Sequence, residues 1–242
     1  MNPLEAWKHD TTAMADTGDA QAVILNRSPD ALPKLYLVRH GDTAWTDSNR
    51  HTGRTDLPLN ERGEEHARKL GEQLRGYVFA HVFTSPLQRA ARTCQLAGFG
   101  AGAEVDPDLV EWDYGRFEGI PTNEVLKERP GWRLFRDGRP GGESPADVAL
   151  RADRFIVRAR AIAGDVAAFS SGHILRMIAA RWLGLPPGGG RFFDCRPASL
   201  GVLGFEHNSP QQPIIHLWNY AVQPRDDAAI SARGGADVER AY

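Results

Sequence analysis

The apolar run Leu35-Tyr36-Leu37-Val38 stops on Arg39-His40 and passes at once into the small-residue turn Gly41-Asp42-Thr43. Such a run reads as a strand, and a cation beside an imidazole at its carboxyl end stands where open α/β sheets carry out their chemistry. Arg39 has the forked donors that gather an anion, and a neutral His40 has the lone pair to attack an electrophile carried by that anion, phosphorus above all. Gly41 is expected to let the backbone come close to the bound oxygens. Taken by itself the tripeptide is as readily a chance pair beside a structural glycine, so the rest of the chain must decide.

Helix and strand patterns alternate beyond this turn. Asn60 reads as an N-cap with Gly63 and Glu64 in the first turn, and His66, Ala67, Leu70 and Leu74 recur at helical spacing to Gly76. Val78 to Thr84 is strand-like. Ser85 as N-cap with Pro86 at the first helical position predicts a second helix through Ala90, Arg92 and Cys94 to Gly98. Ser144-Pro145-Ala146-Asp147 repeats that signal and opens the longest helix, to about Ala163, with Val148, Phe155, Ile156 and Ala159 on one face. Val166 to Phe169 reads as a short buried strand, and His173 to Leu183 as a helix stopped by Gly184 and the Pro186-Pro187 pair. Strands Leu200 to Phe205 and Ile214 to Trp218 finish the pattern. This order predicts an α/β fold, a three-layer α/β/α single domain with a mainly parallel sheet covered on both faces.

A chain of 242 residues accommodates one such domain with an ample core. The expected domain spans residues 34–220. Residues 1–33 are expected to form a loosely ordered arm held at most by Ala22-Val23-Ile24-Leu25, and residues 221–242 a charged, Gly/Ala-rich tail. Lys plus Arg number 29 against 31 Asp plus Glu, a formal charge of −2, so no global basic field draws the chain to nucleic acid or an acidic membrane. Any anion site must be local. Cys94 and Cys195 lack ligand spacing and fit free thiols, and no segment approaches the ~18 apolar residues of a membrane span. Cytoplasm is the expected location, and nothing in the sequence assigns an oligomeric state.

Three further segments end strands or open helices with polar residues. In Thr84 to Thr93, Arg89 lies a turn in from the cap, where its guanidinium can lean over an anion-favouring helix N-terminus. In Leu109 to Gly119, a carboxylate held among Trp112, Tyr114 and Phe117 would be desolvated and kept protonated, which suits a general acid. The alternative there is a surface loop with Glu111, Asp113 and Glu118 all solvated. In Ala168 to Arg176, a strand, a Ser170-Ser171-Gly172 turn and a helix start set amides, hydroxyls and His173 toward an anion.

Arg39-His40-Gly41, Thr84-Ser85-Pro86 with Arg89-Ala90 and Thr93, Glu111 with Asp113-Tyr114-Gly115 and Glu118-Gly119, and Ser171-Gly172-His173 with Arg176 follow one another in this order. Together they resemble the histidine phosphatase superfamily, its phosphoglycerate-mutase-like branch, over nearly all of the chain outside its two ends. The small sedoheptulose-bisphosphatase-like and acid-phosphatase types are the nearest in pattern. The resemblance implies that His40 is a nucleophile forming a phosphohistidine, that Arg39 and Arg89 clamp the phosphoryl oxygens, and that Glu111 gives a proton to the leaving group and later activates water. It implies that Thr52-Gly53 contacts substrate and that Thr46 stands where many members carry a phosphate-touching asparagine. No metal or other cofactor is implied, because two arginines do the charge work. The implied partner is a small phosphorylated metabolite.

One departure matters. Most members have His-Gly at the end of the penultimate strand, where this chain has Ser171-Gly172. A hydroxyl can donate to a phosphoryl oxygen but carries no charge, and loss of such a donor typically costs about 10²–10³ in rate. His173 can stand in, although its side chain starts two residues further on. A working phosphatase completed by Ser171, His173 or both is the expected outcome; an attenuated enzyme, a phosphate-binding pseudoenzyme and a phosphoglycerate mutase are the alternatives. Only Trp112 to Gly142 separates Glu111 from Glu143, and so short a cap favours hydrolysis over a mutase. Within it Arg133, Arg136 and Arg139 are expected either near the mouth, suiting the far end of a phosphorylated sugar or acid, or on a solvated loop.

Overall fold

A computed structural model describes residues 32–221. The expectations for residues 1–31, Ala22-Val23-Ile24-Leu25 included, and for residues 222–242 lie outside that span. In chain order the elements are β1 (Leu35–Arg39), α1 (Ala44–Asp47), α2 (Glu61–Gln73), β2 (His81–Thr84), α3 (Gln88–Leu96), β3 (Glu104–Val105), α4 (Thr122–Glu128), α5 (Leu134–Asp137), α6 (Pro145–Arg160), β4 (Val166–Ser170), α7 (Gly172–Trp182), β5 (Ser199–Phe205) and β6 (Pro213–Ala221). Short 3-10 turns fill several of the connections.

The strands form one six-stranded sheet in the order β3-β2-β4-β1-β5-β6. The pairs β3/β2, β2/β4 and β4/β1 are parallel, while β5 runs antiparallel to β1 and β6 antiparallel to β5. The sheet is therefore mixed, parallel over four strands with an antiparallel hairpin on one side. Strand β1 shows why both faces are covered. Leu35 and Leu37 enter a core with Phe155, Ile156, Ile174 and Ile178, so α6 and α7 lie on that face. Tyr36 and Val38 enter a second core with Leu70, Leu74 and Cys94, which places α2 and α3 on the other. Period-two alternation of large apolar side chains in one strand thus feeds two helix layers.

Local signals set some helix starts. Asn60 caps α2 by accepting from Gly63 N, and Ser144 and Asp147 form a reciprocal capping box at α6. The second helix departs from expectation: Ser85 is not its cap, and α3 begins at Gln88. Ser85 N still donates to Phe169 O at 2.9 Å, extending the β2–β4 pairing, so the chain turns only afterwards. Gln88 N is then capped by Asp56 Oδ1 at 2.8 Å, a residue 32 positions away. Strand β2 is also shorter than the apolar run that announces it, with Val78 86% exposed before it. The sequence reading missed the two-residue β3, and β6 runs one residue into the expected tail.

Candidate active site

His40 follows β1, Arg89 lies in the first turn of α3, Glu111 follows β3, and His173 lies in the first turn of α7. A cleft of about 340 Å³ gathers His40, Glu111 and His173 at the carboxyl edge of the parallel strands, its wall also including Arg39, Thr46 and Thr52, while Arg89 is off that wall and meets the site through His40 Nε2. A larger groove of about 850 Å³ runs along α3 and β3. Its walls carry the Glu64–Arg92 ion pair and none of these side chains, so chemistry rather than size selects the smaller cleft.

The His40 ring is 3% exposed and held at both nitrogens. Its Nδ1 lies 2.7 Å from Gly41 O, and its Nε2 lies 3.2 Å from Arg89 Nε. Arginine nitrogens only donate, so Nε2 must accept and Nδ1 must carry the hydrogen. Burial, then the Arg89 and Arg39 guanidiniums, hold the imidazole well below its ordinary pKa, and it stays neutral. The result is a fixed tautomer whose lone pair sits on Nε2.

Arg89 is fully buried, a costly place for a cation, and backbone carbonyls meet that cost. Nη1 donates to Thr55 O at 2.9 Å, and Nη2 to Thr52 O at 3.1 Å and Gly53 O at 2.9 Å. The loop that supplies these carbonyls is itself held by Glu118, whose Oε1 accepts from Gly53 N at 2.8 Å and Thr55 N at 3.1 Å. Arg89 is thus a fixed cation rather than a mobile clamp. Arg39 donates from Nη1 to Cys195 O, and its buried Nε has no partner among the described residues.

Glu111 is buried, but not as the aromatic neighbours suggest. Its Oε1 accepts from Trp112 N and Ile174 N, both at 2.9 Å, and its Oε2 from His173 N at 2.9 Å. Three backbone donors, two of them from the first turn of α7, meet its two oxygens and fix their direction. The rings of Trp112, Tyr114 and Phe117 fill space, while amides satisfy the oxygens.

Other expected residues divide. Thr46 and Thr52 line the cleft, yet the Thr46 hydroxyl donates to Thr43 O at 2.8 Å and Thr52 contributes its carbonyl to Arg89. Gly41 does not open the backbone to a ligand: a Cβ there would lie 2.3 Å from Gly63 O, so its smallness lets α2 approach. Gly53 is a packing glycine as well, its absent Cβ 2.4 Å from Trp112 O. Gly172 lines the cleft, with a Cβ there 3.3 Å from the Arg39 guanidinium. Ser171 is fully buried, its Oγ has no partner among the described residues, and it is not part of the cleft wall. His173 does face the cleft, with Nδ1 2.5 Å from the Tyr114 hydroxyl.

Of the three arginines expected either at the mouth or on a solvated loop, none is on the cleft wall. Arg133 and Arg136 are exposed, and Arg136 pairs with Asp137. Arg139 is 5% exposed, its guanidinium 3.8 Å from the Trp132 ring centre and 5.0 Å from that of Tyr114, with no hydrogen-bond partner among the described residues. Burial lowers its pKa to about 10. Residues the sequence reading did not single out take the place at the cleft: Tyr114, Arg50 and His51. Burial first and Arg139 second bring His51 down to about 3, so it too is neutral. Arg176 also lines the cleft, its Nε donating to Gly190 O at 3.1 Å.

The family model for the histidine phosphatase superfamily, branch 1, matches residues 35–221. The chain belongs to the histidine phosphatase superfamily. An acid phosphatase of Mycobacterium tuberculosis is 39% identical over 189 residues, covering 76% of this chain and 92% of that one. The sedoheptulose 1,7-bisphosphatase of Saccharomyces cerevisiae is 37% identical over 190 residues, 65% of this chain and 70% of that one. Among solved structures, an open reading frame of Mycobacterium tuberculosis superposes with a TM-score of 0.75 at 35% identity, covering 79% of this chain and 99% of the other. As a histidine phosphatase with phosphatase relatives at this level, the chain is a phosphoric monoester hydrolase. Among the described residues no cluster of His, Cys, Asp or Glu is arranged to hold a metal ion, and no helix is long and apolar enough to cross a membrane.

Proposed function

We propose that the chain hydrolyses a small phosphorylated sugar or acid through a phosphohistidine on His40, without a metal. The observation that carries this reading is the neutral His40 locked between Gly41 O and Arg89 Nε–H, with its lone pair on Nε2. A phosphoryl oxygen entering the cleft accepts the Arg89 Nε–H in place of Nε2 and frees that lone pair for phosphorus. The Nε2–P bond forms as the P–O ester bond breaks, and protonated Glu111 gives its proton to the departing oxygen. In the second half Glu111 takes a proton from water, the water oxygen bonds phosphorus, and the N–P bond breaks. Glu111 ends each cycle in the state in which it began. Arg89 and Arg39 supply fixed positive charge where the phosphoryl group gathers negative charge, and donors that need not reorganise are worth the most.

The substrate class rests on the cleft. Its outer wall carries Arg50 and Arg176, cations suited to an anionic or polyhydroxylated far end. The relative named sedoheptulose 1,7-bisphosphatase supports a phosphorylated sugar of this kind. Turnover of aryl phosphates of graded leaving-group pKa by wild type and Glu111→Gln tests the assignment. The variant should lose most with the poorest leaving groups and least with p-nitrophenyl phosphate, because a good leaving group needs no proton. An equal loss across the series would remove Glu111 from the proton-donor role.

A further inference from the structure

His173 is placed by contacts that the mechanism above does not use. Its Nδ1 lies 2.5 Å from the Tyr114 hydroxyl, and no other partner for that hydroxyl exists among the described residues. Phe135 and His51 pack on the imidazole at centroid distances of 5.7 and 6.2 Å, and the Tyr114 ring stands edge-on at 5.8 Å, so the ring is walled against rotation. Tyr114 is 1% exposed. Burial first, then the Glu111 carboxylate, raises its phenol well above the ordinary value, so it keeps its proton.

That proton needs an acceptor. If His173 Nδ1 carried a hydrogen, the phenolic hydrogen would be left buried and unpaired, an arrangement folded proteins avoid. If the phenol donates to Nδ1 instead, both groups are satisfied and the imidazole hydrogen must sit on Nε2. Nε2 has no protein partner among the described residues, and the ring lines the cleft beside His40 and Glu111. Burial, then Arg176, His51, Arg39 and Arg139, keep the imidazole neutral. A neutral imidazole with one free N–H is a directed hydrogen-bond donor. The same residue gives its backbone N–H to Glu111 Oε2, so the donor and the carboxylate are held in fixed relation.

We propose that Tyr114 is a positioning residue that fixes His173 in the tautomer presenting Nε2–H to the bound phosphoryl group, supplying the donor that the sealed hydroxyl of Ser171 does not. This rests on the reading of the cleft as a His40 phosphotransfer site. Tyr114 acts through His173, by removing the other tautomer from the population. A glutamine at 173 can place an amide N–H near the Nε2 position, whereas an asparagine places it near Nδ1, so the two amides separate a donor role from mere filling of space.

Two measurements test the proposal. In the spectra of 15N-histidine-labelled protein with inorganic phosphate bound, assigned by loss of the signal in His173→Gln, His173 should be the Nε2–H tautomer in wild type and a mixture in Tyr114→Phe. In p-nitrophenyl phosphate turnover, His173→Asn should lower kcat by about 10²–10³, and His173→Gln should restore most of that loss. Tyr114→Phe should cost about tenfold in the wild-type background and about twofold or less in His173→Ala. An Nδ1–H tautomer in wild type, or a Tyr114→Phe loss that stays the same without His173, would overturn it. If wild type turns over no phosphomonoester, the phosphotransfer reading fails, and the tautomer in the phosphate-bound spectra still decides the role of Tyr114.

Discussion

The two halves of the cleft are built in different ways. The half at the strand ends, with Arg39, His40 and Arg89, uses elements whose sequences announce them: an apolar strand, a glycine turn and the helix that follows β2. The half covered by residues 106–143 holds Glu111 and Tyr114, through contacts that reach α7 and the loop at Gly53 and through rings that pack within the segment itself. Glu118 ties the loop at Gly53 and Thr55, Arg139 is boxed by Trp132, Phe117 and Tyr114, and Glu111 sits on amides of α7. Strand ends fix where a reacting group stands, and residues 106–143 bring it partners from distant parts of the chain.

The sharpest division between the halves is expected at Arg89. Arg89→Met keeps the side chain's bulk but removes the N–H on His40 Nε2 and the fixed charge, and should lower kcat by about 10²–10³, as loss of a preorganised donor does. Retention of wild-type turnover would break the claim that the strand-end half carries the charge. Glu118 is the matching position in the insert, one step removed from the chemistry. Glu118→Ala leaves two backbone N–H groups without their acceptor and should cost about 1–3 kcal/mol in urea unfolding, with roughly a tenfold fall in kcat as the carbonyls around Arg89 loosen. Glu118→Gln, which keeps an oxygen acceptor, should recover most of both. The smallest effect belongs to Ser171. Ser171→Ala deletes a buried hydroxyl with no partner, so kcat should stay within about twofold and stability should hold or rise by up to about 1 kcal/mol. A large fall in kcat would return Ser171 to the phosphoryl site.

This contrast also explains what could be read from the sequence. The α/β alternation, the caps at Asn60 and Ser144, the gathering of His40, Glu111 and His173 at one cleft and the nearness of Arg89 to His40 are legible because short-range patterns mark strand ends and helix starts. The start of α3 is not, because Asp56 caps it from across the molecule. Glu111 stands on the cleft wall, but where its aromatic neighbours suggest an apolar pocket its oxygens meet amides, two of them more than 60 residues away. The sequence leaves Arg139 either at the mouth or on a solvated loop, and only the fold reveals the three rings that enclose it. Gly41 looked like an opening for ligand and proved to be a seat for Gly63. His51 carried no local signal at all; its role arises from the insert packed upon it.

The central claim is that His40 Nε2 bonds phosphorus, and trapping that bond tests it most directly. A 32P-labelled phosphomonoester mixed with enzyme and quenched in base within milliseconds, followed by peptide mapping, should yield an acid-labile, base-stable phosphoryl group on Nε2 of His40. The label should be absent from His40→Ala, whose turnover should fall by at least about 10⁴. Label on another residue, or undiminished turnover in His40→Ala, would contradict the account.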